Sequence, residues 1–293
     1  MTTSGSSQVV AFRRALRRAA GSLERDLPWV AHREPWAVLV SEYMLQQTQV
    51  ARVLGPWQRF LHAFPTPTSC ADAPLSDVLR LWEGLGYHRR AKSLHDAAVM
   101  IRDHFAGTVP SEVEQLRSLP GVGEYTANAV ASFAFDRPVA VLDTNVGRVL
   151  ARAVANRRLT ATRARALASE LLGRAPSAPF NQAMLDLGSQ FCSARPRCDA
   201  CPLARTCAWH RDGGPDPAIA SAAVSRPQSS FLGSTRQLRG EVLRHLREGP
   251  QSKKALLAHF DGADALRGEA ALEGLMRDGL VRGSGRRLSL VGD

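Results

Sequence analysis

Apolar residues recur at helical spacing along most of the chain. Val9 to Leu27 pairs an apolar face with an Arg-rich one and stops at Leu27-Pro28-Trp29. Pro35 opens an apolar helical run through Met44, as proline does at a first helical position. Ser76-Asp77 start a helix that reaches Trp82 and is broken by Gly84-Leu-Gly86. Ser111 and Glu114 have the spacing of a capping box ahead of Leu116. Thr160 to Leu172 and Asn181 to Leu187 continue the pattern, and no alternating strand run occurs before residue 279. The pattern predicts an all-α body.

The periodicity lapses at 211–234, where Gly, Pro, Ser and Ala accumulate as in a linker. A small unit, 235–293, follows. Arg236 to Arg247, Ser252 to Phe260 and Leu266 to Asp278 read as three short helices, and Leu280 to Val291 as a hairpin around Gly283-Ser284-Gly285. Three helices and a basic hairpin make a winged-helix-like unit. It serves either DNA or partner contact, or stabilisation alone.

Charge narrows the function. The chain has 38 Lys+Arg against 27 Asp+Glu, a net +11, which favours a polyanionic partner. Only three residues, Lys92, Lys253 and Lys254, are lysine, so biased composition is the competing explanation. No apolar run reaches the ~18 residues of a membrane span. The start, Met1 to Gln8, lacks the charged and apolar regions of a secretion signal, so a cytoplasmic, nucleoid-associated protein is expected.

Two runs carry the chemistry. Leu119-Pro-Gly-Val-Gly-Glu-Tyr-Thr-Ala-Asn-Ala-Val130 reads as a tight turn opening into a helix. Gly121 and Gly123 would permit φ > 0 and close approach, and the free N–H groups of the helix start would take a phosphate. Asp143 follows the apolar stretch Val139 to Leu142 and stands at the start of another helical pattern. A phosphate clamp beside a fixed carboxylate suggests chemistry on DNA. Glu42 is a lone carboxylate among Val38, Leu39, Val40, Met44 and Leu45, where burial would raise its pKa. At Asp143 the helix dipole and N–H groups would favour the anion. Two carboxyls with pKa values pushed apart mark an acid and a charge stabiliser.

Four of the five cysteines fall within sixteen residues: Cys192, Cys198, Cys201 and Cys207. Without a secretion signal, disulfides are not expected. A [4Fe–4S] cluster and a four-cysteine zinc site are the candidates, and the uneven spacing favours iron–sulfur. Arg195, Arg197 and Arg205 lie between these cysteines and would face phosphate. Cys70 stands apart as a small core residue.

The hairpin, Asp143 and the cysteine loop, in this order, resemble the helix-hairpin-helix DNA glycosylases with an iron–sulfur loop. Within them the chain is most similar to the MutY adenine glycosylases. The resemblance rests on Ser41-Glu-Tyr-Met-Leu-Gln-Gln-Thr-Gln-Val50, Leu81-Trp-Glu-Gly-Leu-Gly-Tyr87 and Phe180-Asn-Gln-Ala-Met-Leu-Asp-Leu-Gly188, and covers roughly residues 8–210. It departs in the cluster loop, with five residues between Cys192 and Cys198 where the family commonly has six. The resemblance implies two helical subdomains, 1–29 with 136–210 and a six-helix 30–135 carrying the hairpin at 111–135.

It also implies that Glu42 protonates adenine N7 while Asp143 steadies C1′, with Asn145 beside the same sugar. Gln46, Gln47 and Tyr87 would fill and probe the vacated duplex, and Trp29 and Asp186 would lie near the extruded adenine. Endonuclease III-type relatives carry a lysine where this chain has Tyr125, so a monofunctional hydrolase without efficient lyase chemistry is expected. The implied partner is duplex DNA with adenine opposite 8-oxoguanine or guanine, bound by a monomer.

The residues after the linker are too few for the NUDIX-like 8-oxoguanine reader of many MutY enzymes. Reading of the opposite base would then fall on the catalytic body. Two alternatives stay open: a glycosylase removing thymine or uracil opposite guanine, and a non-catalytic iron–sulfur DNA-binding protein.

Overall fold

The computed structural model describes residues 3–222, 224, 230–260, 262 and 264–293. The described chain is largely helical, with three short strands near its C-terminal end. It divides into two compact units.

The first unit comprises Met1–Arg33, Ser111–Val113 and Gly123–Pro227. Its helices include Thr3–Leu23, Glu124–Phe135, Thr144–Val149, Ala161–Leu172 and Ser177–Gln190. Phe12, Leu16 and Leu23, on the apolar face of the first helix, join Val149, Leu150, Leu171, Met184 and Leu187 in one buried cluster. Each such side chain contributes roughly 1.5–3 kcal/mol by leaving water. Thr160 caps the helix Ala161–Leu172 by accepting from the Arg163 amide. The helix from Thr144 passes into a π-helical turn at Leu150–Ala155, in which Arg152 is buried.

The stretch read as a linker begins differently. Asp216 pairs with Arg152 at 2.6 Å, Ala218 is buried, and the Ala222 amide donates to the Leu159 carbonyl at 2.9 Å. The buried guanidinium requires a carboxylate, and that demand is invisible in Gly- and Pro-rich composition. Residues 223 and 225–229 of the same stretch lie outside the described residues.

The second unit comprises Glu34–Pro110, Glu114–Val122 and Gln228–Asp293. The helix Pro35–Leu45 is buried on nearly every side because its sequence is apolar all round. The helix Leu75–Leu81 starts after Pro74, with Ser76 buried inside it and not capping it. In the first unit, the Ser111 hydroxyl accepts from Arg137 at 2.8 Å.

The C-terminal residues form the helices Thr235–Arg247, Lys253–Leu257 and Asp264–Arg277. The strands Val281–Ser284 and Arg287–Leu290 make the expected hairpin. A two-residue strand, Gln251–Ser252, pairs with the last strand, placing it centrally. Two residues are too few to show alternation, so the sequence pattern missed it. These elements are integrated into the second unit. Arg247 pairs with Glu83 at 2.9 Å and donates to the Leu79 carbonyl, and Arg80 pairs with Asp293 at 2.7 Å.

His88 lies buried at this junction. Burial, then Arg247, Arg239 and Arg90, push its pKa down to about 3 from 6.5. Below pH 6.5 the unfolded chain gains a proton that the folded chain refuses until about pH 3. Stability is therefore fully present above pH 6.5 and falls as pH drops through that window. Urea unfolding at pH 7 and pH 5 should differ by about 2 kcal/mol from this group alone, and His88→Gln should remove that difference. An unchanged pH dependence in the variant would contradict the assignment.

Candidate active site

In the second unit, Glu42 is 5% exposed on the helix Pro35–Leu45, so it is a buried carboxyl and not a residue at a helix edge. Its neighbour Tyr43 is fully buried and donates its hydroxyl to the Pro120 carbonyl, tying this helix to the turn before Gly121. Burial raises the Tyr43 pKa, so the phenol stays a donor. Gln46 follows the helix and lies 3.4 Å from the Gly121 carbonyl, while Gln47 takes φ 56°.

Arg90 fixes this end of the helix. Its guanidinium donates to the carbonyls of Tyr43 and Met44 at 2.8 Å and of Gln46 at 2.5 Å. It also donates to Thr48 Oγ1 at 2.9 Å and to the Leu85 and Gly86 carbonyls at 3.1 and 3.0 Å. Burial pulls its pKa down to about 10, which leaves it charged at neutrality. The turn so held places Tyr87 at φ 49°, after Gly84 and Gly86 at φ 79° and 67°.

Gly121 has φ 81°, and a Cβ there would meet Ser93 Cβ at 2.7 Å, so only glycine fits. Gly123 differs from the sequence expectation. At φ −92° and ψ −179° it is extended, as a helix N-cap normally is, and needs no left-handed freedom.

In the first unit, Asp143 caps the helix Thr144–Val149 and accepts from the Val146 amide at 2.7 Å. Asn145 Nδ2 donates to Asp143 Oδ2 at 2.7 Å. Arg148 donates to Asn145 Oδ1 and, through Nε, to the Cys192 carbonyl at 2.6 Å. A hydrogen-bonded line thus runs from Asp143 to the cysteine loop. The approach to Asp143 is fixed by Asn181, which donates to the Val139 carbonyl at 2.8 Å and accepts from the Val141 amide at 3.1 Å.

The expected lowering of the Asp143 pKa does not occur. Burial raises it and outweighs the Val146 and Asn145 hydrogen bonds and the Arg148 charge, which act downward.

Tyr125 lines a cavity of about 200 Å³ with Asn128, Leu142 and Arg165. Asp186 is buried and accepts from Arg25 and from Gln182 at 3.0 Å; Trp29 is buried in the same unit. Arg195 and Arg205 are exposed. Arg197 is exposed too, but its Nε donates to the Gln190 carbonyl at 3.0 Å, at the end of the helix Ser177–Gln190.

Cys192, Cys198, Cys201 and Cys207 all line one cavity, together with Phe12 and Leu187. Among the described residues, no three His, Cys, Asp or Glu side chains form a group that could hold a single metal ion. Burial raises the thiol pKa values of Cys192 and Cys207 and pushes that of Cys201 up to about 11. Arg152 counteracts this at Cys192, 3.5 Å from its Sγ. Four thiols on one apolar-walled cavity, with a buried cation beside them, fit an anionic iron–sulfur centre.

Residues 40–174 match the HhH-GPD superfamily of base excision DNA repair proteins. An adenine DNA glycosylase of Mycobacterium tuberculosis is 45% identical over 273 residues, covering 88% of this chain and 86% of that one. One from Mycolicibacterium smegmatis is 41% identical and covers 92% of each. The chain belongs to the adenine DNA glycosylase family.

A human adenine DNA glycosylase, 37% identical, is matched over 75% of this chain and 43% of its own length. A non-covalent endonuclease III–DNA complex superposes on this family member with TM-score 0.59 and 26% identity, over 72% of this chain and 98% of that one. A thermostable thymine-DNA glycosylase, at TM-score 0.64 and 24% identity over 70% of this chain and 98% of that one, shares the fold.

In this adenine DNA glycosylase family member, Gly188 brings two helices together at the site. A Cβ there would meet Asn145 Cβ at 2.7 Å and the Asn145 carbonyl oxygen at 2.8 Å. Gly188→Ala must therefore displace the segment that holds Asp143. It should cost about 1–3 kcal/mol in urea unfolding and slow single-turnover base excision about tenfold or more, because positioned groups act only in register. A full-rate variant would show that the Asn145 contact does not set the Asp143 geometry.

Proposed function

We propose that this chain hydrolyses the N-glycosidic bond of adenine opposite 8-oxoguanine or guanine in duplex DNA. The likeness to adenine DNA glycosylases over 88% of the chain carries the substrate. The chemistry follows from two carboxyl residues, buried Glu42 and half-buried Asp143. The adenine leaves the stack before it is cut. Glu42 protonates N7, which turns adenine into a neutral leaving group. Asp143 faces the cationic sugar that develops at C1′, and Asn145 and the Val146 amide keep its carboxylate in place. The division of labour follows that of sugar hydrolysis, in which one carboxyl protonates the leaving group and another supports the cation. Gln46, Gln47 and Tyr87 enter the space left in the duplex, and Gly121, Gly123 and the exposed Arg195 and Arg205 approach phosphates. Trp29 and Asp186 border the extruded base.

Tyr125 stands where lyases of this fold carry lysine, so the enzyme is monofunctional. It acts as a monomer in the cytoplasm, on the nucleoid. Cys192, Cys198, Cys201 and Cys207 hold a [4Fe–4S] cluster, which when bound cross-links the loop 192–207. Arg148 and Arg152 hold that loop by its Cys192 and Ser193 carbonyls.

Single-turnover assays on duplexes with A, T or U opposite G or 8-oxoguanine test the substrate. Adenine release is expected, with strand scission only after added alkali. Glu42→Gln and Asp143→Asn should each slow release about a hundredfold or more at nearly unchanged duplex affinity. Removal of thymine or uracil in place of adenine would overturn the substrate assignment.

The cluster is tested separately. Purified protein should be brown, with broad absorbance near ~400 nm. A colourless anaerobic preparation with stoichiometric zinc would refute it.

A further inference from the structure

Within the first unit, the chain turns back after the last cysteine of the loop. The helix Ala208–Asp212 is followed by Gly213 and Gly214 at φ 71° and 97°, a left-handed pair that reverses its direction. Trp209 Nε1 donates to the Gly214 carbonyl at 3.0 Å across that turn. Asp216 then meets Arg152 in two bonds, from Nε to Oδ1 at 2.8 Å and from Nη2 to Oδ2 at 2.6 Å. Further on, Ser221 Oγ accepts from the Leu159 amide at 3.1 Å and donates to the Pro217 carbonyl at 2.7 Å. Arg152 is 2% exposed, and all three of its guanidinium nitrogens are engaged. Nη1, the one that Asp216 leaves over, donates to the Ser193 carbonyl at 2.7 Å and lies 3.5 Å from Cys192 Sγ. The guanidinium lies over the Trp209 ring, 5.3 Å from its centre. Arg152, Trp209 and the four cysteines line the same cavity.

We propose that Asp216 is a positioning residue for the iron–sulfur centre: it clamps Arg152 so that the guanidinium donates to Cys192 Sγ, and the clamp slows the loss of iron. The inference rests on the cluster reading of the four cysteines. A buried guanidinium stripped of its carboxylate is strongly unfavourable and turns toward water. With the Nε and Nη2 edge fixed on Asp216, the planar group aims Nη1 at the cysteine loop and nowhere else. A cationic N–H donor beside a thiolate ligand stabilises its charge, and outer partners of this kind hold ligands in the orientation that binds metal. Ser221 fastens the same stretch through Leu159, so it separates anchoring of the stretch from aiming of Arg152. The duty of Asp216 is hidden in the sequence because its surroundings have the composition of a linker.

The full-length, iron-loaded protein serves for the test. Iron release to a ferrous chelator is followed anaerobically, and visible circular dichroism of the bound cluster reports on its thiolate surroundings. Asp216→Asn keeps the size of the side chain but not the charge. It should release iron about tenfold faster or more, the scale of a lost outer partner at a metal site, and change the visible dichroism. Ser221→Ala should stay within about twofold of wild type in iron release, although it leaves the Leu159 amide unpaired and lowers resistance to urea. Arg152→Gln should match Asp216→Asn, and the double variant should be no faster than Arg152→Gln alone, because Asp216 acts through Arg152. Wild-type release and dichroism in Asp216→Asn would overturn the proposal. So would additive effects in the double variant, or equal acceleration in Ser221→Ala, which would mean that the stretch only braces the fold. Purified wild type that carries zinc and no iron overturns the cluster reading, and the proposal with it; iron-loaded protein with unaltered Asp216→Asn kinetics overturns the proposal alone.

Discussion

One buried guanidinium closes the end of the helix that carries Glu42. The last carbonyls of any helix lack intrahelical partners, and in a buried setting each open acceptor costs about 1–3 kcal/mol. Arg90 supplies donors to Tyr43, Met44 and Gln46 at that end, and with its other edge to Leu85 and Gly86. The same group therefore sets where the Glu42 helix stops, how the chain leaves toward Gln47, and how the Tyr87 turn folds. Only a planar fork can serve acceptors on two sides at once; a lysine is a point donor. The cost is desolvation of a charge, visible in the depressed pKa, and it is offset by the acceptors that surround it.

The first unit solves a similar problem with more members. Asp143 caps a short helix, Asn145 holds the carboxylate, and Arg148 carries the connection to the Cys192 carbonyl. Burial makes the charged form of Asp143 harder to keep, and the donors around it act against that tendency. Under the proposed mechanism this balance serves the reaction: a partly desolvated carboxylate interacts more strongly with a developing cation than one in bulk water.

The sequence made much of this legible where the signal is local. Apolar periodicity located the helix from Pro35 and the one after Thr160, the Gly283 turn marked the terminal hairpin, and the position of Asp143 before Thr144 marked a cap. Glu42 could be read as buried because its helix is apolar all round. What escaped is long-range. Arg90, Arg148 and Arg152 look like the many other arginines of the chain until their distant acceptors at Tyr43, Cys192 and Ser193, over forty positions away, are seen. The direction of the Asp143 pKa escaped because a cap and a burial compete there, and only packing decides which wins. Asp216 and the residues after it looked like linker because a single ion pair leaves no compositional trace.

The discontinuity of the second unit bears on how the protein is made. The Glu42 helix and the Tyr87 turn emerge early in synthesis, yet Arg247, Arg239 and the strand Arg287–Leu290 belong to the same compact body. Between them the ribosome delivers most of the first unit. Domains that are continuous in sequence can close as they emerge, N-terminal part first. This one cannot. Leu79 and Glu83 wait with their Arg247 partner unmade while more than a hundred residues are added, and the loop that then closes is a long one, for which the entropic cost grows only slowly with length. The nascent chain thus carries an incomplete glycosylase for most of its synthesis, because the cleft lined by Tyr87 and Arg236 also needs Asp278.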